Sequence, residues 1–167
     1  MPAVRVGLGI DLHARAGARR LYLGGEVFEG EDGLAGHSDG DVVCHAVADA
    51  MLGAAGLGDL GEHFPDTEAA FEGIAGLDLL GRVVVMVAGS GLAPVWCDLT
   101  VLAERPAVAP RRAAIRANLA RVLGVGDERV SVKATRPEGL GLTGDGAGCF
   151  AVVTLEERSG SAPSEDP

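Results

Sequence analysis

Apolar residues alternate with small or polar ones from Val4 to His13, VRVGLGIDLH, and this two-residue period predicts an opening strand. RRLYLGGEVFEG (19–30) reads as a short hairpin turning at Gly24-Gly25. The period changes in GHSDGDVVCHAVADAMLGAAGLGDLGEHFPDT (36–67), where Val42, Val43, Ala46, Val47, Ala50, Met51 and Ala54 recur at helical spacing behind a Ser38-x-x-Asp41 start. A helix is predicted from about Asp39 to Ala55, followed by a Gly- and Pro-punctuated loop holding Asp59, Phe64 and Asp66. GLDLLGRVVVMVAGSG (76–91) predicts a second helix, although its β-branched run leaves a strand open. APVWCDLTVLAE (93–104) alternates as a strand, and Ile115, Leu119, Val122 and Leu123 mark a helix that starts after Pro110. RVSVKAT (129–135) is a further strand, EGLGLTGDGAG a glycine-rich turn, and CFAVVTLEE (149–157) the closing strand. The order predicts an α+β fold, a mixed sheet with helices on one face, in a single domain over 1–157. The last ten residues, 158–167, have no apolar periodicity and are expected to be disordered.

At 167 residues with 47% hydrophobic content, the chain supports one core. It carries no apolar run of the roughly 20 residues a membrane span needs and no signal-peptide order, so a soluble cytoplasmic protein is expected. Cys44, Cys97 and Cys149 are odd in number and sit among apolar residues, as buried free thiols do. The net charge is −10 and Lys133 is the only lysine, which argues against a nucleic-acid partner. An anionic substrate would therefore need local cations, and carboxylate-held metal ions would supply them.

Asp11 and His13 lie two apart on the first strand, so they project from one face roughly 6.6–7 Å apart at the backbone. With His45 on the first helix they make three ligands and leave a fourth zinc position open, the layout of a catalytic ion. Asp41 and Asp49 flank His45 by one turn, to orient it, to balance charge, or simply to sit in solvent. His37 and Ser38 read either as a helix cap or as part of a phosphate-binding helix end. His63 reads as a surface residue, and Asp59, Asp66 and Glu138 as turn carboxylates or site groups.

Taken together, GIDLH, GHSDGDVVCHAVADAMLGAAGLGDLGEHFPDT and VKATRPEGLGLTGDGAG resemble the 2-C-methyl-D-erythritol 2,4-cyclodiphosphate synthase family of the non-mevalonate isoprenoid pathway, from about Val4 to Glu156. The resemblance implies a homotrimer with active sites at subunit interfaces, and release of CMP as a cytidine diphosphate-linked phosphate closes on itself. It implies zinc on Asp11, His13 and His45, and magnesium or manganese on Glu138 and the substrate diphosphate. His37 and Ser38 would lie by the 2-phosphate, and Asp59, Leu60, Gly61, Phe64, Asp66 and Leu142 along the rest of the substrate. Cytidine would occupy a neighbouring subunit's pocket of Leu79, Ala103 to Pro106 and Thr135, with His37 and Arg136 the catalytic pair.

Several positions depart from the family pattern. Leu8 stands for His, Ala75-Gly76 for Asp-Ser, Ala107 for Lys, Arg136 for Thr, Asp145 for Arg and Ala147 for Glu. Arg136 can fork onto a phosphate as Thr cannot, while Asp145 carboxylates near a trimer axis would repel a diphosphate there. Two further readings therefore stand beside the family function: a divergent enzyme cyclising a related CDP-linked phosphate, and a non-catalytic zinc-binding trimeric scaffold.

Overall fold

The computed structural model describes residues 3–158, so Met1, Pro2 and, apart from Arg158, the tail expected to be disordered lie outside the described residues. Three strands come first, β1 (Val4–His13), β2 (Arg15–Leu23) and β3 (Glu26–Leu34). Helices α1 (Val42–Ala55), α2 (Leu60–His63) and α3 (Gly76–Gly89) follow, then β4 (Leu92–Ala103), α4 (Arg112–Leu123), β5 (Val130–Thr135) and β6 (Ala147–Glu157). The main sheet runs β1-β6-β4-β5, antiparallel except for the parallel β4/β5 pair. Helices α1, α3 and α4 pack against this mixed sheet, as the α+β reading requires.

The hairpin is longer than expected and stands apart as a two-stranded ribbon of β2 and β3. Its turn residues Gly24 and Gly25 both have positive φ, 60° and 77°, which glycine adopts without a Cβ penalty. The 76–91 segment is helical: α3 buries Leu79, Leu80, Val83 and Val87 on one face, so apolar periodicity outweighs the β-branched run. The first helix begins at Val42 rather than about Asp39, because Gly40 takes φ +76° and Asp41 extended dihedrals, which end the preceding loop in a cap.

Alternation in β1 turns its apolar set away from the helices. Gly7 and Gly9 face α1 and are buried, whereas Val4, Val6, Leu8, Ile10 and Leu12 stand exposed on the other side. The helix lies so close that a Cβ added at Gly9 would sit 1.9 Å from the Ala46 carbonyl oxygen, and one at Gly7 1.9 Å from that of Ala50. Ala46, Ala50 and Ala54 form the small-residue face of α1 that permits this approach. Gly9→Ala should therefore push strand and helix apart and lower stability by roughly 1–3 kcal/mol, read as a fall in thermal midpoint. An unshifted midpoint would show that the contact has slack.

The cysteine reading holds: all three thiols are free and buried. Among the described residues no helix is long and apolar enough to cross a membrane.

Candidate functional site

The close packing of β1 on α1 carries His45 to the end of the strand. Asp11 Oδ2 lies 3.0 Å from His13 Nε2 and 3.0 Å from His45 Nδ1. The two imidazoles meet edge to face with centroids 5.8 Å apart, and one ligand atom from each of the three residues falls within 4.8 Å of the others. Strand periodicity and a helix three elements on thus converge on one point, as the sequence expectation required.

What surrounds the trio suits a divalent cation. His45 Nε2 lies 2.9 Å from Ser38 Oγ, which also accepts the Gly40 N–H at 3.2 Å. Protonated, His45 donates from Nδ1 to Asp11; in the neutral form a metal requires, Nε2–H donated to Ser38 leaves the Nδ1 lone pair facing the gap between the ligands. The Ser38 hydroxyl then accepts twice, which leaves its own proton to offer a ligand. Ser38 is therefore not the cap of α1. That role belongs to Asp41, fully buried, whose carboxylate accepts from Val43 and Cys44 N–H and from the Gly24 and Gly25 amides at 2.8 and 2.7 Å. Asp41 is thus neither solvated nor in hydrogen-bond contact with the imidazole; it ties helix start to hairpin turn, since a buried carboxylate must find donors.

Burial raises the Asp11 carboxyl, but hydrogen bonds and charge from His13 and His45 overcome it and hold the group down at about 2. Burial likewise pushes His45 down, yet the hydrogen bond and charge of Asp11, with the charges of Asp41 and Asp39, raise it above the ordinary 6.5. A folded-state value above the unfolded one stabilises the metal-free protein fully below 6.5 and is lost as pH rises through the raised value. A metal must displace that proton at low pH and meets a free imidazole at high pH. The rise in thermal midpoint on adding zinc should therefore be larger at pH 8 than at pH 6, and equal rises would remove His45 from the ligand set.

The trio opens into a cavity of about 300 Å³ lined by Asp11, His13, His37, Ser38, His45, Leu60, Gly61, Phe64, Asp66 and Leu79, with Gly36, Asp49, Phe71 and Ile74 besides. The expected site residues on the first half of the chain thus gather here, with Asp59 the one exception. Asp59 does not line it; its carboxylate caps α2 by accepting the Glu62 N–H at 3.1 Å. Leu79 also sits within this cavity rather than with the other cytidine candidates, because α3 packs on α1. His63 is half-buried rather than a surface group, its Nε2 donating to the Leu57 carbonyl at 2.6 Å. Asp49, left open by the sequence, accepts the Leu60 amide at 2.8 Å, and burial raises its carboxyl. Phe71 meets Phe64 edge to face at 5.2 Å and, with Ile74, gives the cavity an apolar wall. Neither carried a sequence signal, because both lie in an aperiodic loop.

Ala103, Pro106, Thr135 and Arg136 line a second cavity of about 190 Å³ with Ala107, Val108, Ala109, Ala134 and Arg112. Two exposed guanidiniums therefore border a small, mostly apolar recess. Glu138 and Leu142 are exposed on the glycine-rich turn and line neither cavity; Glu138 takes φ +54° and lies outside the Asp11–His13–His45 group.

Residues 4–156 match the model of the YgbB family. The chain is 52% identical over 148 residues to a bifunctional enzyme IspD/IspF of Anaeromyxobacter sp. (strain Fw109-5), covering 89% of this chain and 38% of that one. It spans about two fifths of the length of such bifunctional relatives. It is 48% identical to the 2-C-methyl-D-erythritol 2,4-cyclodiphosphate synthase of Symbiobacterium thermophilum, covering 92% of this chain and 99% of that one. Among solved structures, bifunctional IspDF from Campylobacter jejuni superposes with TM-score 0.90 at 36% identity, over 95% of this chain and 43% of that one. A CDP-bound form of 2C-methyl-D-erythritol-2,4-cyclodiphosphate synthase superposes with TM-score 0.83 at 34% identity, over 90% and 99%.

Proposed function

Because this chain belongs to the YgbB family, we propose that it is a 2-C-methyl-D-erythritol 2,4-cyclodiphosphate synthase, a phosphorus–oxygen lyase of isoprenoid biosynthesis that releases CMP. The observation that carries the reading is the Asp11–His13–His45 trio at the mouth of the larger cavity. Zinc is the metal this donor set favours, and magnesium or manganese on Glu138 and the substrate diphosphate completes the proposal. A divalent cation held there would stabilise negative charge on the phosphoryl oxygens.

The substrate's 2-phosphate is already anionic near neutral pH, so attack on the β-phosphorus needs positioning more than a base. Ser38 offers its hydroxyl proton to that phosphate, and His37, fixed by the Glu68 carbonyl oxygen 3.2 Å from its Nε2, stands beside it. Leu60, Gly61 and Phe64 exclude water from the methylerythritol part, with Asp66 facing its hydroxyls and Asp59 holding α2 in place. Cytidine belongs in the recess of Ala103, Pro106 and Thr135, where Arg136 meets the diphosphate in place of the family threonine. Arg136→Thr should raise KM roughly ten- to a hundredfold, one charge-assisted hydrogen bond being worth about 1.5–3 kcal/mol. An unaltered KM would remove Arg136 from the phosphate contacts.

The two cavities belong to one reaction if copies of the chain meet. Among the described residues, the β1–β6 part of one face of the main sheet is apolar and exposed: Val6, Leu8 and Ile10 on β1 are 63%, 60% and 42% exposed beside Phe150 and Val152 of β6. Cross-strand neighbours such as Ile10–Phe150 and Leu8–Val152 make the patch continuous, and a lone soluble chain rarely leaves such a surface bare. A homotrimer packed through this face, with sites shared between neighbours, is the assembly proposed.

The experiment is incubation with 4-CDP-2-C-methyl-D-erythritol 2-phosphate, zinc and magnesium, followed by phosphorus NMR. Cyclic diphosphate with stoichiometric CMP is expected. Zinc uptake without turnover would favour a scaffold, and turnover of only a related CDP-linked phosphate would favour the divergent enzyme.

A further inference from the structure

Arg15 lies two residues past His13, and its side chain is only 5% exposed. Its guanidinium is met by main-chain oxygens of the neighbouring strand β3 and of two distant segments. Nε donates to the Asp145 carbonyl at 3.0 Å, Nη1 to the Asp32 carbonyl at 2.6 Å, and Nη2 to the Arg105 carbonyl. Glu31 balances the charge, 3.7 Å from Arg15 Nη1 and 2.8 Å from Arg105 Nη1.

Two of those segments, at Arg105 and Asp145, adjoin the smaller cavity. Arg105 sits between Ala103 and Pro106, which line it, and Asp145 lies in the glycine-rich turn that follows Arg136, which also lines it. The Glu104 carboxylate accepts the Gly139 amide at 2.8 Å, so the two walls are also tied to each other. Burying a guanidinium costs free energy unless its donors are met, and here carbonyls meet them across three separate pieces of chain. A planar fork with five N–H groups can span those directions; an ammonium cannot.

We propose that Arg15 is a positioning residue for the nucleotide recess: it fixes the chain at Arg105 and Asp145 and so sets the spacing of the walls that receive cytidine and the diphosphate. The inference rests on the nucleotide reading of that cavity. It also explains how a strand end bearing a metal ligand and a recess formed by other strands hold a constant relation, since Arg15 follows His13 by one intervening residue.

The test compares wild type, Arg15→Met and Arg15→Lys in three measurements: CMP binding by calorimetry, steady-state kinetics with the CDP-linked substrate, and hydrogen exchange over 104–109 and 139–146. For Arg15→Met the CMP Kd and the KM should rise at least tenfold with kcat changed less than threefold and zinc stoichiometry unaltered. Exchange in both segments should accelerate tenfold or more. Arg15→Lys keeps the charge opposite Glu31 and should recover less than half of the lost affinity; should the Met variant fail to fold, the Lys variant alone must show the raised KM and faster exchange. Unchanged KM, unchanged exchange, or full rescue by lysine would overturn the proposal. Failure of wild type to bind CMP would instead refute the nucleotide reading, and the Arg15 role with it.

Discussion

His45→Ala protein is expected to bind no zinc tightly and to lose roughly a thousand-fold or more in kcat/KM, the several kcal/mol that an ion contributes to phosphoryl charge stabilisation. Three donors from one strand and one helix make the site, and two cannot hold an ion in an open position. The fold should survive, since α1 is fixed mainly by Asp41 at its start and by its alanine face on β1. His13→Ala should behave in the same way. Elemental analysis for zinc, with circular dichroism as the folding control, checks both variants. Zinc at wild-type stoichiometry in either one would refute the ligand assignment.

The second large effect is expected from the bare sheet face. Ile10→Glu places a carboxylate beside Phe150 in the middle of the apolar patch, where packing against another copy would bury it without a partner. Several kcal/mol per copy would then oppose assembly, enough to leave the variant monomeric at micromolar concentration. Turnover should fall by a hundred-fold or more while zinc binding persists, because Ile10 points away from the trio that its neighbour Asp11 joins. Analytical ultracentrifugation with zinc analysis reads the outcome. A variant that sediments and turns over as the wild type does would show that this face does not build the proposed assembly.

The parts of the Asp11–His13–His45 trio were legible because each is local. Asp11 and His13 are related by the strand period, and His45 lies within a helix whose apolar spacing is plain. The strands, α1, α3 and α4, and the buried thiols follow from the same periodicities. Phe71 and Ile74 were not legible, since an aperiodic loop carries no spacing from which a direction can be inferred. Nor was the role of Asp41: whether a carboxylate caps its own helix or orients a neighbouring histidine depends on which amides reach it, and two of those come from the hairpin turn.

The sequence by itself determined which residues alternate, which recur at helical spacing and which chemistry is on offer, because these depend on neighbours a few positions apart. Only the tertiary structure decided which side of the alternation meets the helices. Glycines at 7 and 9 let α1 approach to where a Cβ would collide, so the valines and leucines of β1 were left facing out. Tertiary structure alone also placed Arg15 against the Arg105 and Asp145 carbonyls, since hydrogen-bond partners so far apart in the chain are set by how elements pack and leave no period to read.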